Sequence, residues 1–301
     1  MKKNILILTS DPESVNYEIL KKTKRFFLTK KKNNYTFVGC KKDIFTIFGS
    51  LAESLLIENI SRKKGISVKK YIKECFEKSF KLLKEKKAHG IINLPLSKKH
   101  LPKNYPGVTE YIADSFKKYG QETMLLYSDR FSVCPNTIHI PLALASKSLK
   151  IKNIIKNAKN INSFYLKIIG IKKPTIGIMG FNPHNGADFK KKLEEKKKII
   201  PSIKTINRQN IKIIGPLAPD SAFNSIKEKN LHCLMGNYHD QVLPTFKYIN
   251  KFNAINITLG LPFLRISPDH GPAVDIKGKN LANPNSFLCA LNFFEKYHKK
   301  I

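Results

Sequence analysis

Residues 68–95 read VKKYIKECFEKSFKLLKEKKAHGIINLP. Tyr71, Ile72, Cys75, Phe76, Phe80 and Leu83 recur at helical spacing, with Lys and Glu between them. That period predicts an amphipathic helix over 68–87 with one apolar stripe. The pattern then changes. HGIINLP is a short apolar run without alternation, stopped by Pro95, which reads as a buried strand. A helix feeding a buried strand is the repeating unit of a parallel α/β sheet.

The same alternation extends outward. KNILILTS (3–10), YTFVGC (35–40), TMLLYS (123–128), PTIGIMGF (174–181) and IKIIGPL (211–217) read as strands, as does the stretch SVCPNTIHIPL (132–142). Residues 142–169 are helical in pattern. The expected architecture is a mainly parallel sheet with helices on both faces. No internal repeat is present.

Composition bounds the function. The chain has 301 residues, 42% of them hydrophobic, enough for one large α/β unit or two domains. No apolar run approaches the roughly 18–20 residues of a membrane span, and MKKNILILTSDPES reads as a first strand rather than a signal peptide. Cys40, Cys75, Cys134, Cys233 and Cys289 are odd in number and lack CxxC spacing, which points to a reducing cytoplasm and away from disulfides or a thiolate zinc site. The net charge is +33, but only five of the 55 basic residues are Arg. Nucleic-acid readers favour the planar Arg fork. Lys spread along the whole chain with Ile and Asn reads as compositional drift, with only non-specific polyanion binding at low salt. The runs Lys30–Lys32, Lys190–Lys192 and Lys196–Lys198 read as solvated helix faces or loops.

Three histidines fall where strands end, which is where open α/β sheets place ligands. They are His139 in NTIHIPL, His184 in GFNPHNG and His239 in GNYHDQVLP, 45 and 55 residues apart. Three imidazoles converging on one cleft would suit a zinc-like ion with an open position, and Asp240 could orient a neighbouring ring. The alternative is three unrelated histidines capping loops. Just downstream, Lys247, Asn256 and Arg265 could cradle a phosphate or carboxylate; the alternative for Arg265 is a structural tie to a carboxylate. DHGPAVDIKGKNLANP (269–284) brings a His-Gly turn, small residues and a carboxylate, Asp275, able to accept from a ribose hydroxyl. GxGxxG is absent, so a Rossmann dinucleotide site is not supported.

NPHNG (182–186), GPLAPDSAF (215–223), YHDQVLPTFKY (238–248) and NITLGLPFLRISPDHGPA (256–273), in this order, resemble the 4-hydroxythreonine-4-phosphate dehydrogenase family of vitamin B6 biosynthesis. The resemblance runs from about Gly90 to Phe294. It implies the isocitrate/isopropylmalate dehydrogenase-like fold: two α/β/α domains, residues 1–106 with 251–301 and residues 107–250, with the active cleft between them and completed by a second subunit of a homodimer. It implies a divalent metal (Zn, Mg, Co or Mn) on His139, His184 and His239. Substrate binding would fall to Thr109, Lys247, Asn256 and Arg265, and the NAD or NADP loop would use His270, Gly271, Ala273, Asp275 and Asn283. The implied reaction oxidises the C3 hydroxyl of 4-phosphooxy-L-threonine. The keto acid then loses CO2 to give 3-amino-2-oxopropyl phosphate. The base is left open between Asp240 and a metal-bound water. The implied setting is cytoplasmic, with no specific nucleic acid and no membrane.

The chain departs from the family pattern in several places. A glycine-rich loop of the type GDPxGIGPE reads SDPESVNYE, keeping Asp11, Pro12 and Glu18. TGPxxK reads NLPLSKK, keeping Pro95 and Lys98; ADFKKKLEEKKK replaces a glycine-rich stretch; Pro272 replaces Thr or Ser; and a substrate His becomes Val108. These changes keep two alternatives open: a dehydrogenase for another phosphorylated hydroxy acid such as a phospho-threonate, or a degenerate, non-catalytic basic binding protein.

Overall fold

The computed structural model describes all residues except Met1, Ser10, Lys63, Lys64, Lys103, Asn104 and Lys190–Lys192, so the second lysine run lies outside the described residues. Its strands are β1 (Asn4–Leu8), β2 (Asn34–Gly39), β3 (Leu56–Asn59), β4 (Gly90–Asn93), β5 (Thr123–Tyr127), β6 (Ser132–Pro135), β7 (Ile176–Met179), β8 (Ile213–Leu217), β9 (Cys233–Gly236), β10 (Ile255–Leu259) and β11 (Leu264–Pro268). The α-helices are α1 (Asn16–Lys22), α2 (Lys24–Phe27), α3 (Lys41–Phe48), α4 (Val68–Lys84), α5 (Val108–Ser115), α6 (Ala145–Ser148), α7 (Ile151–Phe164), α8 (Ile200–Asn207), α9 (Ser225–Glu228), α10 (His239–Asn250) and α11 (Asn285–Lys296). The chain divides into two compact units, Met1–Glu122 with Phe252–Ile301, and Thr123–Lys251.

The first unit orders its strands β3-β2-β1-β4-β11-β10. All neighbours are parallel except β10 and β11, which run antiparallel with Thr258 opposite Arg265. Leu6 and Leu8 face the buried stripe of α4, where Tyr71, Ile72, Cys75, Phe76, Phe80 and Leu83 all enter one core with Val38 and Ile91. The Ser67 side chain caps the helix by accepting from the Lys70 amide at 3.3 Å. At Gly90 a Cβ would fall 2.6 Å from the Phe294 ring, so α11 sits close against β4 and only glycine fits. Residues 107–122 belong with this unit rather than with the second, where the sequence reading put them. Ile112 of α5 is buried in the α4 core, and Tyr111 stacks edge-on against Phe76 at 5.3 Å.

The second unit orders its strands β5-β6-β9-β7-β8, parallel except for β5 with β6. Helix α7 packs on β5 and on α8, and α10 packs on β6 and β9. The expected helix over 142–169 is broken: a tight turn Leu142–Leu144 and α6 precede an extended Leu149–Lys150, which lets Leu149 bury before α7 starts. The expected strand over 132–142 stops at Pro135. His139 beyond it has φ 51°, which no strand residue can adopt. All five cysteines are free thiols. Among the described residues no helix is long and apolar enough to cross a membrane.

Candidate active site

The ends of β6, β7 and β9 are stitched together by amides. The Asn237 side chain donates to the Met179 carbonyl at 2.9 Å, and that of Gln241 donates to the Gly180 carbonyl at 2.8 Å. The Asn237 amide in turn donates to Gln241 Oε1 at 2.7 Å, and the Thr137 hydroxyl donates to the Asn237 carbonyl at 2.8 Å. These bonds satisfy backbone groups that the ending strands leave open. They also fix the three turns that carry the candidate histidines.

His239 is the first residue of α10, and its Nδ1 lies 2.6 Å from Asp240 Oδ1. The His139 and His239 rings are 6.1 Å apart, tilted by 43°. Two imidazoles sharing one tetrahedral ion place their ring centres on the order of 5–6 Å apart, so this pair stands slightly wider than a shared ion needs, and among the described residues the ligand atoms of His139, His184 and His239 do not all lie within 4.8 Å of one another. His184 sits on the 3-10 turn Pro183–Gly186, with Nδ1 2.7 Å from Asp188 Oδ2. That hydrogen bond raises the His184 pKa above its usual range. A carboxylate on Nδ1 presents Nε2 as the ligand atom, the usual arrangement around metal-binding histidines. His139 and His184 both take left-handed backbone, φ 51° and 47°. For a non-glycine residue that costs of order 1–3 kcal/mol and is concentrated at functional sites.

The turn that holds His184 is braced from below. Glu195, only 2% exposed, accepts from the Phe181 and Asn182 amides at 2.8 and 2.7 Å and from the Asn182 side chain at 3.0 Å. Glu194 also accepts from Asn182, at 3.0 Å, and from the Ser146 hydroxyl. Burial pushes the Glu194 carboxyl up, but these donors outweigh it and hold the group below the usual carboxylate range. At Gly180 a Cβ would fall 2.2 Å from Asn185 Oδ1, so the turn folds directly over the end of β7.

In the first unit, Arg265 is 3% exposed. Its Nε donates to Asn93 Oδ1 at 2.6 Å, and its Nη1 donates to the Thr258 and Thr109 hydroxyls at 2.8 and 3.3 Å. Burial lowers its pKa to about 10, countered by the charge of Glu110. Thr109 and Arg265 are therefore brought together. Asn256 lies on β10 with a buried Oδ1 that has no hydrogen-bond partner among the described residues. Lys247 is exposed on α10, eight residues beyond His239.

The loop 269–284 is tied to the segment that replaces the glycine-rich turn. The Val15 amide donates to the Pro272 carbonyl at 3.1 Å, and the Ala282 amide donates to Glu18 Oε1 at 2.6 Å. His270 Nδ1 lies 2.9 Å from the Gly271 carbonyl, Ala273 is left-handed at φ 45°, and Asp275 is exposed on the short turn Val274–Ile276. Asn283 caps the start of α11 by accepting from the Asn285 amide at 2.9 Å. Gly271 has nothing within 4 Å of where a Cβ would stand, which leaves room for a ligand.

A further cluster was not foreseen. Ligand atoms of Asp11, Glu13 and His100 lie within 4.8 Å of one another. Lys99 Nζ already stands 2.6 Å from Glu13, and the fully buried Asp11 accepts from the Glu13 and Ser97 amides at 2.9 and 2.8 Å. The group braces two turns, which accounts for Asp11 persisting where the glycines are gone.

A family model described as pyridoxal phosphate biosynthetic protein PdxA matches residues 17–294. The chain belongs to the PdxA family. A PdxA-family relative, the 4-hydroxythreonine-4-phosphate dehydrogenase of Sulfurihydrogenibium sp. (strain YO3AOP1), is 34% identical over 95% of this chain and 96% of its own. The crystal structure of 4-hydroxythreonine-4-phosphate dehydrogenase from Klebsiella pneumoniae superposes with a TM-score of 0.79 at 25% identity, covering 97% of this chain and 99% of that one. Isocitrate dehydrogenase from Methylococcus capsulatus shares the fold alone, with a TM-score of 0.50 at 10% identity, covering 98% of this chain and 85% of that one. The expected fold class is thus the observed one. Within this PdxA-family chain, the residues that sequence reasoning missed are the braces: Thr137, Glu195, Asn237 and Gln241. Thr137 and Asn237 carry a sequence signal, a polar side chain just past a strand end, whereas Gln241 on α10 and Glu195 at the start of a helical turn carry none.

Proposed function

We propose that this chain is a 4-hydroxythreonine-4-phosphate dehydrogenase that oxidises the C3 hydroxyl of 4-phosphooxy-L-threonine with NAD or NADP. Hydride leaves C3 and a proton leaves the hydroxyl; the 3-keto acid then loses CO2 to leave 3-amino-2-oxopropyl phosphate. The observation that carries this reading is the histidine set of the second unit, with the His139 and His239 rings 6.1 Å apart and carboxylates on Nδ1 of His184 and His239.

His139, His184 and His239 would hold a divalent ion, which when bound supplies Lewis-acid stabilisation of charge growing on the substrate oxygen. Asp240 fixes the His239 ring through Oδ1, and in this reading its second oxygen takes the hydroxyl proton. Arg265 and Thr109, held against each other, together with Asn256 and Lys247, bind the substrate's phosphate and carboxylate through charge-assisted hydrogen bonds. Such fixed donors place C3 rather than merely attract it. His270, Gly271, Ala273, Asp275 and Asn283 form the loop for the nicotinamide cofactor, whose ring supplies the hydride acceptor. The reading includes a cytoplasmic homodimer. Sedimentation at working concentration tests the assembly, with a mass near 34.4 kDa counting against it.

The test of the reaction is its stoichiometry. Each reduced nicotinamide should be matched by one CO2 and one 3-amino-2-oxopropyl phosphate. Turnover on phospho-threonate with none on 4-phosphooxy-threonine would replace the substrate assignment.

A further inference from the structure

The first unit contains a cavity of about 650 Å3, walled by α1, α3 and the Lys277–Asn280 turn. Lys21, Lys22 and Lys277 line it against a single carboxylate, Glu18. Two of these ammonium groups are fixed by carbonyls. Lys22 Nζ donates to Asn280 and Ala282, both at 2.8 Å, and Lys277 Nζ donates to Pro12 at 2.8 Å. A carbonyl positions an ammonium group without cancelling its charge. Glu18 lies 3.3 Å from Lys22 and offsets one charge, so the wall carries a net excess of two positive charges. The lining hydroxyls are turned away: Ser14 to the Asp11 carbonyl at 2.8 Å, Tyr17 to Asp43 at 2.5 Å and Thr46 to the Lys42 carbonyl at 3.0 Å. Asp43 in turn is paired with Arg62 at 3.0 Å. The lysines are therefore what the cavity offers a ligand, beside the apolar surface of Val15 and Ile47.

We infer that this cavity binds a phosphate monoester, and that its occupant in the working enzyme is the ribose 2′-phosphate of NADP, so that the chain discriminates for NADP over NAD. Only the choice of occupant rests on the dehydrogenase reading. It follows from the cavity's wall, since Lys277, Gly278 and Asn280 belong to the proposed cofactor loop. Lys22 spends its three N–H groups on Asn280, Ala282 and Glu18, so a dianionic ester would be met by Lys277 and Lys21, with an ionic attraction that a neutral 2′-hydroxyl lacks.

The test titrates the full-length protein with adenosine 2′,5′-bisphosphate, with adenosine 5′-monophosphate and with inorganic phosphate. The bisphosphate should bind roughly tenfold tighter or more than the monophosphate. In a Lys21→Ala, Lys277→Ala double variant the ratio should collapse to near one with monophosphate affinity kept, while Lys277→Arg should retain most of it. Equal affinities in the wild type, or a ratio that survives the double variant, would overturn the inference. Phosphate binding without discrimination between the two adenosines would reject NADP as the occupant. Turnover with NAD equal to that with NADP sinks the inference and spares the dehydrogenase reading. Bisphosphate discrimination with no turnover on either cofactor spares the phosphate site and sinks that reading.

Discussion

Arg265 is one of five arginines in a chain of 301 residues, and it is buried where a charge is expensive. Its bonds to Asn93, Thr258 and Thr109 make it a rigid fork rather than a mobile cation. Lys at this position would keep the charge and lose the fork. Arg265→Lys should therefore raise KM for the phosphorylated substrate more than it lowers kcat. It should also cost about 1.5–3 kcal/mol in urea unfolding, the worth of one charged hydrogen bond. An unchanged KM would remove Arg265 from substrate binding. The sequence made Arg265 visible because arginine is rare here, but its partners were not legible: Thr258 faces it only through the antiparallel β10–β11 register. The histidines were legible for a similar reason, each flanked by turn residues at a strand end. The left-handed backbone of His139 and His184 was not, nor was Asp188 on the His184 ring, whereas Asp240 beside His239 was. His139→Ala or His239→Ala should abolish stoichiometric divalent-metal binding; full occupancy in either variant would contradict a shared ion.

At the scale of elements, the turn Pro183–Gly186 depends on two carboxylates reaching in from Glu194 and Glu195. Glu195→Ala would strand the Phe181 and Asn182 amides and loosen His184. Metal affinity should fall about 10–100-fold, as when groups orienting metal ligands are removed, measured by competition with a chelating dye; an unchanged affinity would make Glu195 merely structural. Glu194 carries a pH signature. Its folded pKa is depressed, so the stability it adds is present above its unfolded pKa and is lost as pH falls through the lower folded value. The Tm deficit of Glu194→Gln should thus be largest near neutrality and shrink on acidification below the usual carboxylate range. Periodicity revealed the strongly patterned elements, α4 and β4 above all. It failed at 142–169, where a continuous apolar rhythm hid the extended break at Leu149, and at 107–122, where local sequence carries no sign of which core α5 joins.

For the whole molecule, a net charge of +33 is a property of the surface rather than of the chemistry. Self-repulsion should make Tm rise with added salt until screening saturates near the Debye length of about 8–10 Å at 0.1–0.15 M. Heparin or RNA binding should vanish over the same range, and binding that persists at high salt would revive a nucleic-acid role. The family match from 17 to 294 and the 34% identical relative place this basic chain in the PdxA family, and the proposed function holds that drift has rewritten the surface and the glycine-rich loops around a retained catalytic set. The most direct test of that claim is the rate of NAD(P) reduction with 4-phosphooxy-L-threonine before chelation, after chelation and after a divalent ion is restored. The account predicts turnover that the chelator abolishes and the ion restores, with His239→Ala inactive throughout. Turnover indifferent to the chelator, or none from protein that holds its metal, would contradict it.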